Sequence, residues 1–172
     1  LLESNAKVIL FTRPRRFGKT LNQFMIRRFF EDEITEKGEK VDNGYLFDGL
    51  AITHCGEEIM QHQQRYPVIF MSLKSAKQDS YDMAYASLID EISKEFKRHA
   101  YLLQGESLSP KEKQEFQLVM DKEAQPIAYA KALGFLSECL TKYHGHKTII
   151  LIDEYDVPLE NAYLRGFYDE MI

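Results

Sequence analysis

Gly18-Lys19-Thr20 is the stretch of this sequence best equipped for chemistry. Glycine lets a backbone approach a charged ligand, a lysine ammonium balances phosphate charge, and a threonine hydroxyl ligates a hard divalent cation. The tripeptide alone is a weak signal, and its flanks strengthen it. Lys7–Thr12 (KVILFT) reads as a buried strand, a short loop follows, and Thr20–Glu31 places Leu21, Phe24, Met25, Arg28 and Phe29 at helical spacing. Strand, loop and helix start together make an anion site, because the first helical amides are unpaired and the helix dipole favours negative charge there. The candidate phosphate-binding residues are therefore Arg13, Pro14, Arg15, Arg16, Phe17, Gly18, Lys19, Thr20 and Leu21. Arg13 stands where the usual G-x-x-x-x-G-K-[ST] pattern has glycine. Arg15 and Arg16 read as caps for phosphates, as a grip on an acidic partner element, or as a solvent-facing pair.

A second carboxylate-bearing motif lies more than a hundred residues downstream. Lys147–Asp156 reads KTIILIDEYD, an apolar strand ending at Asp153. Open parallel sheets bind ligands at the carboxyl ends of their strands, so Thr12 and Asp153 are expected to open onto one crevice. Asp153 is placed to hold Mg²⁺ together with Thr20, as a Walker B aspartate does. Glu154 is the candidate general base for activating water, with Lys19 neutralising the developing charge. Asp156 has two readings, a carboxylate behind the metal site or a helix N-cap, the cap or another structural role being favoured.

The elements that must position these residues read as α/β. Pro67–Leu73 (PVIFMSL) is a third short apolar run suited to a strand covered on both faces. Helical stripes occupy Ser80–Leu103, a stretch beginning at Ser109, one beginning near Pro126, and one after Pro158. Ser109 and Glu112 have capping-box spacing, with Pro110 at the first helical position. Asp42-Asn43-Gly44 and His144-Gly145 read as turns. Strands alternating with helices predict a parallel sheet, and no linker divides the chain, so residues 1–172 are read as one domain.

Charge and composition narrow the function classes. The 172 residues carry a net charge of −5, yet residues 1–28 hold +6 and the remainder −11. A basic island in an acidic chain suits a local anionic ligand and argues against a nucleic-acid or membrane binder working through bulk charge. The tyrosines and phenylalanines are not interleaved with basic residues, so single-strand binding is not indicated. Two cysteines suit a reducing compartment such as the cytoplasm, and no apolar run is long enough to span a bilayer. His144 and His146 read as exposed loop histidines, His54 and Cys55 as structural, and Arg165 as a helix arginine or an arginine finger in an oligomer.

With both motifs in view, the sequence resembles the bacterial and archaeal AAA-ATPase-like family. The resemblance rests on FTRPRRFGKTL at Phe11–Leu21, LIDEYDVPL at Leu151–Leu159, LFDGLAI at Leu46–Ile52 and YPVIFMSLK at Tyr66–Lys74. It accounts for Arg13, since the family has arginine at that position. It implies an additional-strand, catalytic-glutamate P-loop fold, a three-layer sandwich about a parallel sheet. ATP and Mg²⁺ are the implied cofactors, and a C-terminal PD-(D/E)XK nuclease-like domain or a homo-oligomer the implied partners. In that fold a further strand with a sensor residue lies between the phosphate-loop strand and the Walker B strand. Only three strand signals are present here, so a truncated core lacking that strand and the lid is expected, with a partner chain filling the gap, a rearranged sheet, or further residues beyond Ile172 supplying the strand. Two functions follow from different classes: an ATPase driving an attached effector, or a non-hydrolytic nucleotide-dependent switch regulating a nuclease-like or defence-related domain. Phosphate loops also serve kinases, and the adjacent Asp153-Glu154 pair favours water activation over a phosphoryl acceptor.

Overall fold

In the computed structural model, residues 8–12 and 17–172 are described. Helix α1 spans Lys19–Phe30. Two single-turn 3₁₀ helices (Gly44–Phe47 and Ala51–His54) and a short turn of helix at Glu57–Met60 lead to strand β1, Val68–Ser72. Helices α2 (Tyr81–Arg98), α3 (Pro110–Met120) and α4 (Pro126–His144) follow. Strand β2, Ile149–Asp153, and helix α5, Val157–Arg165, close the sequence of main elements. The two strands are parallel, with Val68 opposite Ile149 and Ser72 opposite Asp153.

Local chemistry sets most of these boundaries. The Ser109 hydroxyl accepts from the Glu112 amide while the Glu112 carboxylate accepts from the Ser109 amide, so the expected capping box starts α3. The Ser80 side chain accepts from the Met83 amide at the start of α2. Helix α4 ends at Gly145, whose φ of 70° is the left-handed conformation that glycine adopts without a Cβ penalty. The long stripe over Ser80–Leu103 splits: α2 stops at Arg98, and Ala100–Leu103 tightens into a 3₁₀ turn that buries Tyr101 and Leu102.

The sheet separates two apolar clusters. On one face Val68, Ile149 and Leu151 meet Phe29, Phe30 and Phe47 beneath α1. On the other, Ile69 and Met71 meet Phe96, Phe116, Leu136 and Leu140 from α2, α3 and α4. Helices thus cover both faces of a small parallel sheet, in the layering of a partial P-loop fold.

Of the expected strand at Lys7–Thr12, Lys7 lies outside the described residues, and residues 8–12 form no strand. Residues 8–12 carry no strand hydrogen bonds, and Val8 is 85% and Leu10 62% exposed. A strand needs a neighbour to satisfy its backbone, and no strand lies beside this segment among the described residues. The apolar run signals strand propensity, and propensity without a paired strand does not by itself make one. Asp156 takes the N-cap position of α5, but its backbone is helical and its side chain caps no amide, so the favoured role is only positional.

Candidate functional site

The two motifs converge at the carboxyl end of β2. Asp153 is the last residue of that strand and is 4% exposed. Register puts its side chain on the face shared with Val68 and Leu151, which is the face α1 covers. Thr20, in the first turn of α1, donates its hydroxyl to Asp153 Oδ2 at 2.6 Å across a separation of 133 residues. The other carboxylate oxygen accepts from the Glu154 amide at 3.1 Å. A buried carboxylate with a hydroxyl on one oxygen and an amide on the other is held in one orientation.

Lys19 opens α1 and is half-buried, and Gly18 sits at the helix N-cap with a φ of 72°. A Cβ at Gly18 would meet nothing within 4 Å, so glycine is required here by backbone conformation and not by crowding. The N-cap residue is a glycine and offers no side-chain cap to the first amides of α1, and unpaired amides at a helix start suit an anion. Phe17 and Leu21 are both 65% exposed. Arg13, Pro14, Arg15 and Arg16 lie outside the described residues.

Glu154 is half-buried with a φ of 55°. A non-glycine residue in the left-handed region is uncommon and costs energy. Here it turns the chain sharply from β2 into α5, with the Val157 amide donating back to the Glu154 carbonyl.

Beside Lys19 lies a groove of about 710 Å³ lined by Phe11, Ile26, Phe29, Phe47 and Ile52, with Asn22 and Gln23 at the α1 wall. Its apolar lining does not suit phosphate.

The donor set fits a magnesium nucleotide. Mg²⁺ prefers one or two protein oxygens and keeps the rest of its shell as water and phosphate. A hydroxyl and a carboxylate already in contact, beside an uncapped helix start and a lysine, supply those groups. No cluster of three His, Cys, Asp or Glu side chains forms a metal site of another kind among the described residues.

Sequence reasoning missed a buried charge network behind this site. Glu31, 1% exposed, binds Arg27 of α1 at 2.7 Å and also Arg98 of α2. Arg98 holds Glu95 at 2.6 Å and donates to the Val68 carbonyl, while Glu95 accepts from the Phe70 amide at 2.8 Å. Burial pushes the Glu95 carboxyl up, but hydrogen bonds from His99 and Arg98 and the Arg98 charge overcome it and hold it at about 2. The spacing Glu95, Arg98, His99 was a readable sign, since such residues share one helix face.

His144 is a second correction. Its side chain is 2% exposed and lies between Asp32, at 3.2 Å, and the Tyr101 hydroxyl, at 2.8 Å. The turn after α4 is exposed, but the last helical turn points this ring inward. Arg165 pairs with Asp79 at 3.2 Å on the surface. Burial pushes the Cys139 thiol up to about 12, which leaves no thiolate for chemistry. No helix among the described residues is long and apolar enough to cross a membrane.

Comparison with known proteins gives one clear result. No curated protein matches the chain. No solved structure matches it either. The family model described as Predicted AAA-ATPase matches residues 1–172. A whole-length match of this kind, with nucleotide binding and hydrolysis implied by membership, places the chain in the AAA-ATPase-like family.

Proposed function

We propose that the chain is a Mg²⁺-dependent ATP-binding and ATP-hydrolysing P-loop domain that drives or gates an attached effector. The observation that carries this reading is the Thr20–Asp153 hydrogen bond at 2.6 Å, which joins the helix start to the acidic strand end. Lys19 and the α1 amides neutralise phosphate charge as it develops. Thr20 and Asp153 hold the cation, which supplies charge stabilisation at the phosphates when bound. Glu154, one residue beyond the strand and turned by its left-handed backbone, is the base that takes a proton from the attacking water. The loop residues Arg13 to Phe17 complete the phosphate cradle on this reading, and Leu21 packs at its rim.

The test is ATP binding and turnover by the native chain beside Lys19→Ala and Glu154→Gln. Lys19→Ala is expected to weaken ATP binding by about 10-fold or more, the equivalent of roughly 1.4 kcal/mol. Glu154→Gln is expected to keep binding and lose turnover. Unchanged affinity in Lys19→Ala would sink the phosphate-loop assignment. Binding without turnover in the native chain would leave a nucleotide switch in place of a hydrolase.

A further inference from the structure

Helix α1 lays one face along the sheet. Thr20 reaches Asp153, the Phe24 ring lies tilted with its centre 4.8 Å from that of Phe70, and Arg27 lies over the same ring. Between them Gln23 donates its side-chain amide to the Ile152 carbonyl at 3.2 Å. That carbonyl belongs to the peptide that carries the Asp153 amide, so the bond fixes the plane from which the carboxylate projects. It also lies on the outer edge of β2, where no strand pairs with it among the described residues.

The other end of the Gln23 amide has a different fate. Its Oε1 is buried and has no partner among the described residues. A buried amide oxygen left unpaired is unfavourable, and a methionine of similar length would fill the same space without that cost. Packing therefore does not explain a glutamine here, whereas donation to Ile152 does.

We propose that Gln23 is a positioning residue for the magnesium nucleotide, a role that rests on the function proposed above. It acts through the Ile152–Asp153 peptide to keep the Asp153 carboxylate against the Thr20 hydroxyl. Nucleotide phosphates bind Lys19 and the helix amides, which Gln23 does not touch. Loss of Gln23 therefore affects the metal-dependent part of binding and spares the metal-free part.

The experiment is calorimetric titration of ATP into the full chain, in EDTA and in excess Mg²⁺. It is paired with Mn²⁺ binding to the ATP complex followed by electron paramagnetic resonance. The variants are Gln23→Met, which removes the donor, and Gln23→Glu, which keeps the shape as an acceptor only. Affinity in EDTA is expected to stay within about twofold of native, while Mg²⁺-dependent ATP affinity and Mn²⁺ affinity fall about 10-fold, as for other residues that orient a metal ligand. Equal losses with and without metal would mark a merely structural residue and overturn the proposal, as would unchanged metal dependence in both variants. If Gln23→Met does not fold, Gln23→Glu is read by the same criteria. A native chain that binds no ATP in either condition overturns the nucleotide reading itself, and this inference with it.

Discussion

The two edges of the small sheet are finished in opposite ways. Along the outer edge of β1, Glu95 takes the Phe70 amide and Arg98 takes the Val68 carbonyl. Just before the strand, the Tyr66 carbonyl accepts from the Asp32 amide at 2.8 Å. That edge is closed by buried side chains whose charges are matched by Glu31 and Arg27. Along the outer edge of β2, Ile150 and Ile152 are 43% and 37% exposed, and Gln23 supplies the one hydrogen bond recorded there among the described residues. The lesson is a division of labour. The closed edge carries structural rigidity and none of the candidate site residues. The open edge ends at Asp153 and Glu154, where the proposed chemistry lies. Unpaired strand edges are liabilities that folded proteins cover or pair, and here only one edge is covered.

Perturbing each edge separately sharpens the contrast. The largest effect is expected from Arg98→Met at the closed edge. It leaves Glu31 and Glu95 buried without their shared partner, and breaking such a pair costs about 3–5 kcal/mol. Urea denaturation followed by circular dichroism reads this as a fall in the midpoint. A loss under about 1 kcal/mol would show that the network is not structural.

Thr20→Val on the open side removes one hydrogen bond to a charged acceptor and is expected to cost about 1.5 kcal/mol. The same variant is expected to abolish Mg²⁺-dependent ATP binding, so stability and function respond in reverse proportion at the two edges. Glu154→Gly relieves a left-handed backbone and is expected to gain about 0.5–1 kcal/mol while losing hydrolysis. A stability loss in this variant would mean that the carboxylate carries a structural contact.

The mildest perturbation is pH, and it acts behind the closed edge. Burial, with the Arg98 charge, lowers the His99 value, and burial lowers His144 against the pull of Asp32. Each is neutral in the folded chain where the unfolded chain already binds a proton. Stability is therefore full above the ordinary histidine value of 6.5 and declines as pH falls below it. Glu95 adds a second loss at lower pH, beginning near its ordinary 4.5 and continuing toward about 2. Urea midpoints at pH 7.5, 6 and 5 check the first decline, and His99→Phe is expected to flatten part of it.

Legibility in the sequence followed the range of the interactions. Helix ends were readable because their signals are local: Ser109-Pro110 with Glu112, Pro126, and Gly145. The strands at 68–72 and 149–153 were readable within one or two residues because each is a short, continuous apolar run. The segment at 8–12 has a similar composition but no paired strand among the described residues, and composition does not report strand partners. Lys19, Thr20, Asp153 and Glu154 were singled out through motif spacing, and the fold brings the Thr20 hydroxyl against the Asp153 carboxylate, whose other oxygen accepts from the neighbouring Glu154 amide. Gln23 and the Glu31–Arg98–Glu95 network escaped because polar residues on a helix read as solvent-facing until the packing is known.

The closed edge also gives the sheet a direction of growth. Because α2 side chains occupy the amide and carbonyl that a strand beside β1 would need, any strand joining this sheet must lie beside β2. Such a strand would run past Ile150 toward the Gln23-held carbonyl of Ile152 and arrive next to Asp153. Completing the sheet and completing the surroundings of Asp153 would then be a single assembly step, whichever chain supplied the strand.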